Sequence, residues 1–172
     1  MTDFEKILEF SLKWEGGDTI TDDPDDPGGL TKYGISQRAH PSVDIRNLTY
    51  EQAKEIYRLN YWEAGKCGLL PHLINMVHFD CCVNTGLKRA AIILQKSCDV
   101  TADGIIGPET MRNVVDKNQR LLAEKMIVER DVFYENLAKN NPVMGKYLIG
   151  WQNRTRDLLN LVRSQNETLE IG

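Results

Sequence analysis

Between Trp14 and Ser36 the chain reads WEGGDTITDDPDDPGGLTKYGIS, with five glycines, two prolines and five aspartates in 23 residues. No helix interior tolerates that density of Gly and Pro, and no buried strand carries so many unpaired carboxylates. The residues on either side follow a helical period instead. Thr2 and Glu5 form a capping box, and Phe4, Ile7, Leu8 and Ser11 then mark one face of a helix. That helix reaches its end at Trp14 and Glu15, where Gly16 is placed to stop it. The expected fold is therefore mainly α. Its one small β element is an irregular hairpin from Asp18 to Ser36, with the bend at Asp-Pro-Asp-Asp-Pro-Gly-Gly.

Everything after the hairpin reads as helix. Thr49 and Gln52 make a second capping box ahead of Tyr50, Ala53, Ile56, Tyr57 and Tyr61. Leu73, Met76, Val77, Asp80, Cys81 and Asn84 outline a very apolar helix ending near Gly86, followed by a short one from about Arg89 to Cys98. VTADGIIGPET is a turn that delivers Pro108 to the first position of the next helix. Two long amphipathic helices, roughly 118–139 and 143–163, complete the chain, and the tail 164–172 is expected to fray. At 172 residues and 41% hydrophobic, such a chain can bury a core without disulfides or metal, as one compact unit.

The charge balance narrows the partners. A net charge of −4, with no dense run of Lys or Arg, argues against nucleic acid. No apolar run reaches membrane-span length, and MTDFEKILEF has neither a basic start nor a cleavage site. The expectation is a monomer without stable membrane insertion, cytoplasmic as synthesised. Four cysteines without that signal are expected to be free thiols. Cys81 and Cys82 read as small hydrophobes, and Cys67, next to Lys66, as the exposed, reactive one. There is no CxxC spacing and the three histidines are scattered, so no metal is expected.

A glutamate at the apolar end of a helix is desolvated, which favours its neutral form and suits a general acid. Aspartates on the wetter loop beyond it stay ionised, and two carboxylates in contrasting settings make an acid/base pair of the kind a glycosidase needs. Read on their own, these residues are equally consistent with a surface glutamate beside a solvated loop. Calcium binding by Asp22, Asp23, Asp25 and Asp26 is disfavoured, because the alternating register and distal Glu of a calcium loop are missing.

WEGG followed by DPDDPGGLTKYGIS resembles the signature of glycoside hydrolase family 108, the N-acetylmuramidases of the lysozyme-like superfamily. The resemblance continues through YEQAKEIYRLNYW, FDCCVNTG and DGIIGPET to Gly150, Trp151 and Arg154. Its later parts are similar to the predicted peptidoglycan-binding module that accompanies such catalytic regions. It implies a helical lobe and a small β-hairpin lobe flanking an active-site groove, with a lysozyme-like catalytic region over 1–95 and a helical module over 96–172 packed on it. It also implies hydrolysis of the β-1,4 bond between N-acetylmuramic acid and N-acetylglucosamine, with peptidoglycan glycan strands as partner, no cofactor, and phage or prophage endolysin use after holin-type release. Carried over residue by residue, Glu15 is the general acid, Asp26 the second carboxylate and Thr31 the hydroxyl that positions water.

Other residues keep two readings. Tyr33 stacks on a sugar or supports the hairpin, and Asn84 reaches the groove or caps its helix. Asp80 is read as a buried anchor, and Trp62 and Trp151 as core. The DGIIGPET turn is explained by architecture alone. Two alternative functions remain beside hydrolysis. One is a non-catalytic peptidoglycan-binding or secretion-assisting protein; the other is a lytic transglycosylase.

Overall fold

The computed structural model describes residues 1–22 and 28–165. Asp23, Asp25 and Asp26, and the tail from residue 166 onward, lie outside the described residues. Helix α1 (Asp3–Trp14) opens with the Thr2/Glu5 capping box, both of its hydrogen bonds made, and buries Phe4, Ile7, Leu8, Ser11 and Leu12. Helix α2 (Tyr50–Tyr57) opens with the Thr49/Gln52 box and runs into a π-helical turn over Arg58–Glu63. Helices α3 (His72–Thr85), α4 (Leu87–Cys98), α5 (Pro108–Val115), α6 (Gln119–Asn140), the one-turn α7 (Pro142–Gly145) and α8 (Leu148–Ser164) follow. Pro108 takes the first-turn position expected for it.

Helix α3 organises the molecule. All of its residues from Leu73 to Cys82 are buried, with polar Asn75, His78 and Asp80 among them, because other elements close over every face of the helix. Helices α1, α4, α6 and α8 pack around it, and α6 lies along α8. Phe4 meets Phe79 of α3 edge to face, and Trp62 packs tilted against both rings, which places it against the core. Trp151 stacks on Tyr134 with ring centres 4.8 Å apart. Among the described residues no helix is long and apolar enough to cross a membrane.

The β element differs from the expected hairpin. Strands β1 (Thr31–Lys32) and β2 (Ile35–Ser36) pair antiparallel, Thr31 with Ser36 and Lys32 with Ile35, and the bend between them is Tyr33-Gly34. Both bend residues have positive φ, 53° and 71°, as a two-residue turn matched to strand twist requires. Thr21 joins only through an isolated bridge to Thr31. The tight bend thus falls at Tyr33-Gly34, and the bridged Thr21 and Thr31 stand on either side of the Asp-Pro rich segment in sequence. Buried Ile35 plugs the hairpin into the core, and Lys32 Nζ donates to the Leu48 carbonyl at 2.8 Å.

A second correction concerns Cys67. It is fully buried in a 3-10 turn, not exposed, and all four cysteines are buried and unbridged.

Candidate active site

Glu15 ends α1, its backbone N–H donating to the carbonyls of Ser11 and Leu12. Gly16 and Gly17 then reverse the chain with positive φ. Its side chain is about a quarter exposed. The hairpin bend lies against it: a Cβ built on Gly34 would stand 2.8 Å from the Cβ of Glu15 and 2.8 Å from the Tyr57 hydroxyl. Tyr57 Oη donates to the Tyr33 carbonyl at 2.9 Å, and Tyr33 N–H donates to the Gly17 carbonyl at 2.9 Å. The bend is therefore pinned to α2 on one side and to the end of α1 on the other. Burial, and then the nearby carboxylate of Glu15, push the Tyr57 phenol far above its ordinary range; the Tyr61 phenol moves the same way for the same two reasons.

On its other side Glu15 meets an arginine from the far end of the chain. Arg154 Nη1 donates to Glu15 Oε1 at 2.6 Å. The rest of that guanidinium is engaged by Asp80, which accepts from Nη2 at 2.7 Å and from Nε at 3.2 Å. Asp80 also accepts from Arg130 Nη1 at 2.7 Å and from Ser11 Oγ at 2.8 Å. Asp80 and Arg130 are fully buried, and Arg154 nearly so. Burial alone would raise the Asp80 carboxyl, but Arg154 and Arg130 outweigh it and hold it well below the usual carboxylate range. The Asp80 carboxylate thus faces two guanidiniums and a hydroxyl, and such pairing with hydrogen bonds is how a buried ion offsets a desolvation cost of several kcal/mol.

The network continues away from Glu15. Arg130 Nε donates to the Tyr134 hydroxyl at 2.7 Å, and Tyr134 in turn donates to Asn84 Oδ1. Asn84, near the end of α3, is thereby tied to α6. Thr31 lies in β1, its hydroxyl donating to the Gly29 carbonyl at 3.0 Å. Of the residues singled out in the sequence, Glu15 and the Tyr33 backbone are brought together, and Asn84 joins through Asp80, Arg130 and Tyr134. Asp26 lies outside the described residues.

Arg130 and Tyr134 were not singled out, and Tyr57 and Arg154 were named only on a helix face and within the resemblance, although a signal for the arginines existed. Leu122, Met126, Arg130 and Tyr134 recur every fourth residue, as do Arg154, Leu158 and Val162. In each row an arginine occupies a position whose helical neighbours are apolar, and an arginine on a core stripe demands a buried anion.

Two further features lie apart from Glu15. The DGIIGPET turn is held by Gln95, whose amide nitrogen donates to Asp103 Oδ1 at 2.7 Å and whose oxygen accepts from Gly104 N at 2.8 Å. Beside it lies a cavity of about 450 Å³ lined by Lys66, His78, Lys88 and Asp103 among others. The fold also gathers Cys67, His78 and Cys82, all buried, with donor atoms within 4.8 Å of one another, the one group among the described residues able to hold a metal ion. His78 Nε2 lies 3.1 Å from the Gly65 carbonyl and 3.5 Å from Cys82 Sγ. A hydrogen bond with Cys67, and then burial, raise the Cys82 thiol far above its ordinary value, which keeps it neutral.

A helix-end carboxylate, covered on one side by a small hairpin and backed by a helical body, fits a mainly α, lysozyme-like fold. Residues 8–86 match the family model described as Glycosyl hydrolase 108, and residues 87–156 match the one described as Predicted Peptidoglycan domain. Residues 8–156 thus match a glycosyl hydrolase 108 region followed by a peptidoglycan domain, and the two matches support a lysozyme-like function directed at peptidoglycan. The solved structure of Brucella abortus SagA superposes with a TM-score of 0.79 at 26% identity, over 96% of this chain and 98% of that one. No curated protein matches the sequence.

Proposed function

We propose that the protein is an N-acetylmuramidase that hydrolyses the β-1,4 bond between N-acetylmuramic acid and N-acetylglucosamine, with Glu15 as general acid. The observation that carries this reading is the setting of the Glu15 carboxyl. Oε1 is held at 2.6 Å by a buried guanidinium while the side chain keeps about a quarter of its surface open. With Oε1 so engaged, Oε2 is the oxygen that delivers the proton to the glycosidic oxygen. As the proton leaves, negative charge grows on a carboxyl that already faces a fixed cation, a stabilisation needing no rearrangement during the step.

Asp26 is the second carboxylate of this proposal, on the segment entering the hairpin, and the Thr31 hydroxyl positions the attacking water. Tyr33 and Asn84 line the substrate path, with the Tyr33 ring available to a sugar face beside the pinned bend. Acid protonation and electrostatic stabilisation suffice for this chemistry without a cofactor.

Product mass spectrometry on purified peptidoglycan tests the reading. Reducing-end muramic acid products from wild type, and none from Glu15→Gln, support it. Anhydromuramic ends would make the enzyme a lytic transglycosylase, and wall binding without any cleavage would make it a binding protein.

A further inference from the structure

We infer that the second region supplies part of the catalytic apparatus: Arg154, on α8, is the positioning residue for Glu15, and the packing of α6 and α8 against α3 exists to deliver it. This rests on the reading of Glu15 as the acid.

Glu15 and Arg154 belong to different family regions, 8–86 and 87–156. Backbone contacts hold the end of α1 within the first region, but among the described residues the only charged side chain paired with the Glu15 carboxyl is Arg154. A lone glutamate at a helix end has three torsions to order, and a carboxyl that swings does not present its proton in one direction. Arg154 removes that freedom because it is itself immobilised. Its Nε and Nη2 fork is occupied by Asp80, Asp80 is fixed by Arg130 and Ser11, and Arg130 is fixed by Tyr134. The series thus runs Tyr134, Arg130, Asp80, Arg154, Glu15, hydrogen-bonded at each step and buried at all but the last, where Glu15 meets the surface.

The choice of arginine follows from this geometry. A planar guanidinium can present two donors to Asp80 and a third, on another nitrogen, to Glu15. The ammonium of a lysine is a single point that cannot occupy both sites. Three of these five residues, Tyr134, Arg130 and Arg154, come from helices of the second region. That region therefore acts on the chemistry, besides whatever hold it has on the wall polymer.

The test uses the full chain with Arg154→Ala and Arg154→Lys, assayed on soluble peptidoglycan fragments after circular dichroism confirms folding. Arg156→Ala, an exposed position on the same helix, is the control. Arg154→Ala is expected to lower kcat about 100-fold while KM stays within about threefold, the pattern of a lost fixed donor in the transition state. Arg154→Lys, which retains a cation beside Asp80 and serves if the alanine variant does not fold, is expected to recover less than about a tenth of wild-type kcat. Millimolar guanidinium chloride should raise the activity of Arg154→Ala and leave Glu15→Gln inactive, a response that loss of structure alone does not produce. A folded Arg154 variant with wild-type kcat, or one that loses only KM, overturns the inference while leaving Glu15 intact as the acid. Wild-type cleavage by Glu15→Gln would instead overturn the reading beneath it.

Discussion

Arg154 Nη1 lies 2.6 Å from Glu15 Oε1 across 139 positions of sequence, joining the last long helix to the end of the first. Glu15 is therefore not an isolated surface group, and its replacement has two separable consequences. Glu15→Gln should reduce wall lysis by at least about 100-fold through loss of the transferable proton. An amide oxygen can still accept from Arg154, so the stability change should stay within about 1 kcal/mol, as for a partly exposed pair. Turbidity clearance and thermal melting, measured on the same preparation, check both.

Asp80 is the opposite case. Replacing it with alanine strands two buried guanidiniums, a loss that costs about 3–5 kcal/mol when one member of a buried pair is removed. We expect Asp80→Ala to lower the urea midpoint sharply, or to yield no folded protein, whereas Arg156→Ala leaves it unchanged. An Asp80→Ala midpoint equal to wild type would show that the cluster contributes nothing to the fold.

Gly34 carries a steric prediction. A methyl group there has a positive φ against it and stands 2.8 Å from both Glu15 Cβ and the Tyr57 hydroxyl, so the bend must move. Displacing the bend by even about 1 Å should cost on the order of 100-fold in kcat, because reacting groups tolerate little misplacement. Gly29, also at positive φ but with nothing near its Cβ position, is the comparison: Gly29→Ala strains the backbone without touching Glu15. Equal losses in the two variants would mean that strain, not contact with Glu15, is what matters.

The cysteines set a pH limit. Burial raises the Cys81 thiol to about 11; Cys82 and Cys98 also move up, Cys82 first through its hydrogen bond with Cys67 and Cys98 through burial. A raised folded-state value means that the neutral thiols add stability in full below the unfolded value of about 8.5, and lose it as pH rises through the folded value. Melting temperature should accordingly begin to fall near pH 9, before the tyrosines of the unfolded chain ionise. A serine at Cys81 should flatten that fall. Thiol reagent should find almost nothing in the native protein and all four cysteines after denaturation, since all four are buried and unbridged.

Much of this fold was legible locally. Both capping boxes, Pro108 at its helix start and the end of α1 at Glu15 follow rules that operate within a few residues, and each is found where the pattern puts it. The bend at Tyr33-Gly34 was not, because the prolines and glycines upstream are the louder turn signal, while a tyrosine at positive φ announces nothing. The exposure expected of Cys67 failed for another reason: turn-like neighbours describe the backbone, whereas burial depends on which helices close over it. The setting of Glu15 lay furthest from reach. Its charge partner is set by the meeting of three helices, and only the misplaced look of an arginine on an apolar stripe hinted at it.

The buried ion cluster also bears on how such proteins can be recombined. The boundary between the two matched regions falls between residues 86 and 87, yet among the described residues Asp80 on one side is paired only with Arg130 and Arg154 on the other. A chimera that takes its second half from a relative inherits a working joint only if that half brings both arginines at matching heights on its helices. Otherwise the graft buries a bare carboxylate. Exchange of target-recognition parts, a common route to new specificity in wall-degrading enzymes built from beads on a string, is constrained here to partners that agree on three side chains.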